Sequence, residues 1–146
     1  MPRILVVNGP NLNLLGKREP QIYGADDLDT LNKELSGLAA RLKMELTFFQ
    51  SNSEGDLIDF IHKEAPGAHG MILNPGALAH YSYALRDAIN AVSIETVEVH
   101  MTNVHSREEF RQKSVIAPAC AGYLSGFGSY GYAMALSYFS DFAEKS

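Results

Sequence analysis

ILVVNGPNLNLLGKREPQIYG, residues 4–24, sets a short apolar run against a long polar loop. Ile4-Leu5-Val6-Val7 reads as a buried strand. From Asn8 onward the chain carries Asn-Gly-Pro, Asn11 and Asn13, then Lys17, Arg18, Glu19 and Tyr23, and follows neither the helical nor the strand period. A structureless loop of this length is uncommon in a compact domain and is usually functional or disordered. Leu12, Leu14, Leu15 and Ile22 give this one apolar anchors, and its basic cluster lies beside a tyrosine, so it reads as an ordered active-site loop.

The same alternation continues outward. Apolar runs predict strands near 3–8, 45–50, 70–74, 95–100 and 117–124, and amphipathic segments predict helices near 27–42, 55–65, 82–92, 107–113 and 129–143. Leu28, Leu31, Leu35, Leu38, Ala39 and Leu42 form the apolar stripe of the first helix. Leu57, Ile58 and Ile61 do so in the second, and Ala84, Leu85, Ala88, Ile89 and Val92 in the third. Strand followed by helix, about five times over, means a parallel sheet with helices on both faces. Five strands in this length favour a flavodoxin-like doubly wound sheet, in which ligands bind outside the carboxyl ends of the strands. No repeat or linker divides the chain, so residues 1–146 are expected to form one catalytic domain.

A net charge of −5 argues against nucleic acid as the main partner and makes a small anion the better match for its basic residues. Cys120 is the single cysteine, which excludes an intrachain disulfide and fits a reducing compartment. The chain enters its first strand directly from Met-Pro-Arg, without signal-peptide character, and has no apolar run of membrane-spanning length. The expected location is the cytoplasm, away from any membrane.

Polar residues collect where three strands stop. Along Thr96-Val-Glu98-Val-His100, side chains alternate, so Glu98 and His100 share one face. A carboxylate beside an imidazole fixes its tautomer and stabilises its protonated form, which suits either a general acid or a structural hydrogen bond. Ser106-Arg-Glu-Glu109 matches a capping box and predicts a helix that places Arg107 and Arg111 on one face, as anion ligands or as a solvated surface. The backbone amides of Met101 and Thr102 follow the strand in a turn suited to a carboxylate. Tyr23 is either a packing residue or a base, because Arg18 in the same loop supplies the cation that favours a phenolate. His80 reads as a cap or surface residue, and Asn74 before Pro-Gly as turn chemistry, unless a ligand engages them.

Other signals carry less. Gly126-Phe-Gly128-Ser-Tyr-Gly131 matches a dinucleotide fingerprint, but the acidic strand that should follow about 20 residues later has no room before Ser146. Close strand–helix packing accounts better for these glycines. Cys120 lies in an apolar stretch and reads as a small core residue. Glu98, His100 and His105 lack a compact metal-ligand spacing, the first loop lacks a phosphate nest for a flavin, and no lysine stands at a strand end for an imine. No metal or cofactor is therefore expected.

Five segments in this order resemble the type II 3-dehydroquinate dehydratases: NGPNLNLLGKREPQIYG at 8–24, QSNSEGDLIDFIH at 50–62, ILNPGALAHYSYALRDA at 72–88, EVHMTNVHSREEFR at 98–111 and GFGSYGY at 126–132. The resemblance covers nearly the whole chain. It implies anti elimination of water from 3-dehydroquinate through an enolate to give 3-dehydroshikimate, a step shared by shikimate biosynthesis and quinate breakdown. It further implies Tyr23 as the base, Arg18 as the cation that lowers its pKa, and Asn11 as a holder of water against the enolate oxygen. His100 would be the acid and Glu98 its orienter. Asn74, His80 and Arg111 would bind ring hydroxyls, Met101 and Thr102 the carboxylate, and Arg107 would belong to a lid formed near 17–23. Asp87 would reach a neighbouring subunit's site in a homo-oligomer, a dodecamer built as a tetramer of trimers.

The chain departs from the family pattern at Thr102, where serine is usual, and around His80, where Ala77-Leu78-Ala79 and Tyr81 replace more hydroxylated residues. Two other classes remain open at this point: a non-catalytic binder of a quinate-like acid on the same fold, and a metal-assisted hydrolase using His100, His105 and Glu98.

Overall fold

The computed structural model describes residues 1–17, 19, 21 and 26–145, with backbone alone for 142–145. Five parallel strands, β1 (Arg3–Asn8), β2 (Glu45–Gln50), β3 (Gly70–Asn74), β4 (Glu95–His100) and β5 (Gly122–Ser125), lie in the order β2-β1-β3-β4-β5. Four α-helices are described, α1 (Leu28–Arg41), α2 (Glu54–Glu64), α3 (Tyr83–Ala91) and α4 (Tyr130–Lys145). This is the flavodoxin-like doubly wound arrangement.

Strand alternation divides the apolar residues into two cores. Ile4, Val6, Ile72, Val97 and Val99 face α1 and α4, packing on Leu31, Leu35, Tyr132, Leu136 and Phe139. Leu5, Val7, Met71 and Leu73 face the other way, onto Leu57 and Ile61 of α2 and Leu85 and Ile89 of α3. Each fully buried aliphatic side chain contributes roughly 1.5–3 kcal/mol, so register is strongly enforced on both faces. Helix starts follow local chemistry: Asp27, Ser53 and Ser82 accept from Thr30, Asp56 and Leu85 backbone N–H groups at 2.8, 3.2 and 3.0 Å.

Three expectations need correction. Ala84 is exposed, because the buried stripe of α3 narrows to Leu85, Ala88 and Ile89. The last strand begins at Gly122 instead of 117, since Ala117–Ala119 forms a 3-10 turn around Pro118. The helix predicted at 107–113 is replaced by two short 3-10 turns, Val104–Ser106 and Glu109–Gln112. There the Ser106 hydroxyl donates to the Asn103 carbonyl at 2.9 Å, so it does not cap a following helix. Arg107, with φ −112 and ψ −163, is extended between the turns. Among the described residues, no helix is long and apolar enough to cross a membrane.

Candidate active site

Strand order reverses between β1 and β3, and the crevice of a doubly wound sheet opens at such a point. Asn8 and Asn74 end their strands side by side in register. Gly9 N–H then donates to the Asn74 carbonyl at 2.8 Å, tying the two strand-end loops together. A Cβ at Gly9 would sit 2.6 Å from the Pro75 carbonyl oxygen, so a glycine is required there. The first loop continues through Asn11, whose φ of 71 lies in the left-handed region that asparagine tolerates. Its N–H is held by Asn52 Oδ1 at 2.9 Å, and Gln50 Nε2 donates to Gly9 O at 3.1 Å, so the end of β2 braces this loop.

Above these loops is a cleft of about 680 Å³, counting the open solvent at its mouth. Asn11, Asn74, His80, His100, Met101, Thr102, Arg107 and Arg111 all line it.

Glu98 and His100 share the α2–α3 face of β4, as alternation requires. Glu98 is fully buried, and His100 Nε2–H donates to its Oε2 at 2.5 Å. The Ser114 hydroxyl reaches both carboxylate oxygens, at 2.8 and 2.9 Å, while accepting the N–H groups of Ile116 and Ala117 at 3.1 and 3.0 Å. One ring nitrogen of His100 is thus committed to a fixed carboxylate, which leaves Nδ1 to act on a ligand. The Tyr123 ring lies 5.5 Å from the His100 ring, and burial raises the Tyr123 pKa.

His80 stacks beside His100 at 6.2 Å between ring centroids, with its Nδ1 2.9 Å from the Lys113 carbonyl. Burial is the main cause of its lowered pKa, helped by His100 and Arg111. A neutral imidazole facing a carbonyl must place its proton on Nδ1, so Nε2 remains an acceptor.

Arg107, extended between the two 3-10 turns, and Arg111, in the second turn, both reach the cleft without a shared helix. Glu108 lies between them, its Oε1 3.2 Å from Arg111 Nε and 3.8 Å from Arg107 Nε. Its own backbone N–H, followed by Arg111 and Arg107, lowers the Glu108 pKa. Arg107 Nη1 also donates to Thr102 Oγ1 at 3.3 Å. The Arg111 guanidinium stands 4.7 Å from the Phe110 ring centre.

Asn74 is almost buried. Its Oδ1 accepts from Gly76 N–H at 3.1 Å, and its Nδ2 donates to the Tyr132 hydroxyl at 2.9 Å. That hydroxyl donates in turn to Asn8 Oδ1 at 2.6 Å. Asp87 is exposed on α3, outside the cleft lining. Tyr23 and Arg18 lie outside the described residues.

Ser114, Glu108, Asn8 and Tyr132 are the site-building residues that sequence reasoning missed. Tyr132 had one available signal, its place in the closing GFGSYGY segment, but nothing there tied its hydroxyl to a strand end. At that same segment, a Cβ on Gly131 would meet Val99 Cγ1 at 3.2 Å, in keeping with close strand–helix packing. Burial pushes the Cys120 thiol up to about 12, which keeps it protonated and a poor nucleophile. Among the described residues, no group of three or more His, Cys, Asp and Glu side chains is placed to hold a metal ion.

Comparison with known proteins matches residues 2–140 to the family described as Dehydroquinase class II. A 3-dehydroquinate dehydratase of Bacillus licheniformis is 58% identical over 139 residues, covering 95% of this chain and 96% of that protein. The Bacillus subtilis 3-dehydroquinate dehydratase is 51% identical over 138 residues, covering 94% and 93%. The crystal structure of a type II dehydroquinase from Butyrivibrio crossotus superposes with a TM-score of 0.93 at 46% identity, covering 94% of this chain and 97% of that one.

Proposed function

The chain belongs to the class II dehydroquinase family and is a lyase that acts on 3-dehydroquinate, and we propose that the cleft at the β1–β3 switch point carries out the elimination with Tyr23 as base and His100 as acid. The observation that carries this reading is the buried Glu98–His100 pair at the wall of the cleft. With Nε2–H committed to Glu98, a protonated His100 has Nδ1–H to give. Transfer of the Nδ1 proton to the departing hydroxyl releases water and leaves a neutral ring still bonded to Glu98.

On this reading, the proton alpha to the ketone goes to the Tyr23 phenolate, which Arg18 stabilises, and the electrons pass into an enolate. Asn11 steadies the enolate oxygen through a water. Collapse of the enolate expels the β-hydroxyl to the opposite side, giving 3-dehydroshikimate in the shikimate pathway. His80, as a neutral acceptor, receives a hydrogen bond from a ring hydroxyl at Nε2, while Asn74 and Arg111 donate to ring oxygens. Met101 and Thr102 amides receive the carboxylate, and Arg107 closes over it as part of the lid. Neither metal nor cofactor takes part. Asp87, exposed on α3, reaches the cleft of a neighbouring subunit in a cytoplasmic dodecamer, and sedimentation as a monomer would overturn that part.

Solvent-deuterium exchange separates the two proton carriers. His100→Gln should lose roughly 10²–10⁴ in the rate of enone formation while still exchanging the alpha proton. Tyr23→Phe should lose both reactions. Exchange that survives in Tyr23→Phe removes Tyr23 from the base role, and elimination that survives in His100→Gln removes His100 from the acid role.

A further inference from the structure

We propose that Tyr132 is a positioning residue whose hydroxyl fixes Asn74 as a hydrogen-bond donor toward the substrate, an inference that rests on reading Asn74 as a substrate-binding residue. The geometry gives the chain of bonds one direction. Gly76 N–H can only donate, so the Asn74 atom 3.1 Å from it must be the oxygen. The amide nitrogen therefore faces Tyr132, at 2.9 Å, and its N–H requires the hydroxyl oxygen as acceptor. The single phenolic proton is then directed to Asn8 Oδ1, at 2.6 Å. Burial raises the Tyr132 pKa, so that proton stays in place. One N–H of Asn74 is spent on Tyr132, and the second remains for the cleft that Asn74 lines.

Packing alone does not account for the hydroxyl. The Tyr132 ring is completely buried against the α1–α4 core, where phenylalanine would fill nearly the same volume. A hydroxyl there costs free energy unless it is bonded. Its two partners are the terminal residues of β1 and β3, at the point where strand order reverses. Without it, the Asn74 amide loses one of the two contacts that set its orientation. The cleft then presents opposite poles: a donor at Asn74 and, through the Nδ1–H bond of His80 to Lys113, an acceptor at His80. That pairing selects a ligand that carries both an oxygen acceptor and a hydroxyl donor.

The test is a double-mutant cycle of Tyr132→Phe and Asn74→Ala, read by steady-state kinetics on 3-dehydroquinate with thermal melting as the control for folding. Tyr132→Phe should raise KM by roughly 3- to 10-fold, the worth of one hydrogen bond, with kcat nearly unchanged as for a contact present equally in ground and transition states. In the Asn74→Ala background, it should leave KM where Asn74→Ala had put it. An unchanged KM in folded Tyr132→Phe, or the same rise in both backgrounds, overturns the proposal. An unchanged KM in Asn74→Ala alone overturns the reading of Asn74 and the proposal with it. If Tyr132→Phe does not fold, Asn8→Ala removes the acceptor of the phenolic proton without touching the ring, and KM should again rise. A KM equal to wild type in that variant overturns the proposal.

Discussion

Glu98 and His100 stand on β4, an interior strand of the sheet, whereas Arg107 and Arg111 lie in the segment of short turns that follows it. Both pairs face one cleft. The strand pair is sealed: the carboxylate is inaccessible, and Ser114 and His100 satisfy its oxygens. The turn pair shares one acidic partner, Glu108, whose side chain is 55% exposed and therefore open to water and salt. Atoms that pass a proton must be held within tenths of an ångström, and a strand locked between two cores provides that. Groups that grip a small anion must let it enter and leave, and short turns with solvated partners allow movement.

The contrast breaks most decisively at the strand pair. Glu98→Gln keeps the shape of the side chain but removes the charge behind the imidazolium. The expected result is a fall in kcat of roughly 10²-fold or more, little change in KM, and no dependence of the loss on ionic strength. A loss mainly in KM would place Glu98 in binding instead of proton transfer.

At the turn pair, the corresponding change is Glu108→Gln. An exposed ion pair contributes little, so KM should shift by about five-fold at most, and the shift should shrink as salt is added. A kcat loss comparable to that of Glu98→Gln would erase the distinction between the two regions.

The smallest effect concerns pH. The folded His80 pKa lies below its ordinary value, so near pH 6.5 the unfolded chain binds the proton more readily. Stability should then be full above the unfolded pKa and decline as pH falls from there toward the folded pKa. His80→Asn should flatten that decline between about pH 7 and 5, as measured by denaturant midpoints. An equally steep decline in the variant would remove His80 as its source.

What the sequence made legible follows the same division. Glu98 and His100 were placed correctly because side-chain alternation is a geometric rule with period two. Five strands and four of the five predicted helices appear for the same kind of reason. The rim departs from its sequence pattern because Ser106-Arg-Glu-Glu109 satisfies a local helix rule, while the Ser106 hydroxyl donates backward to the Asn103 carbonyl. Arg107 and Arg111 still reach the cleft, through a backbone path that the pattern did not indicate. Ser114 escaped notice because its partner Glu98 lies 16 residues away, and Tyr132 because Asn8 is 124 residues distant. Such long-range bonds leave no local periodicity to read.

The two-core construction of β4 also governs which changes in chain length a lineage can survive. Val97 and Val99 pack into one core, while Glu98 and His100 project toward the other. Removing one residue between Thr96 and His100 would bring Met101 to the proton-transfer position and turn the imidazole into the oily layer beneath α4. Point substitutions along this strand can be sampled one at a time, but a single-codon deletion would cost packing and chemistry together. Insertions and deletions among descendants of this chain should therefore accumulate in the turns and spare these five positions.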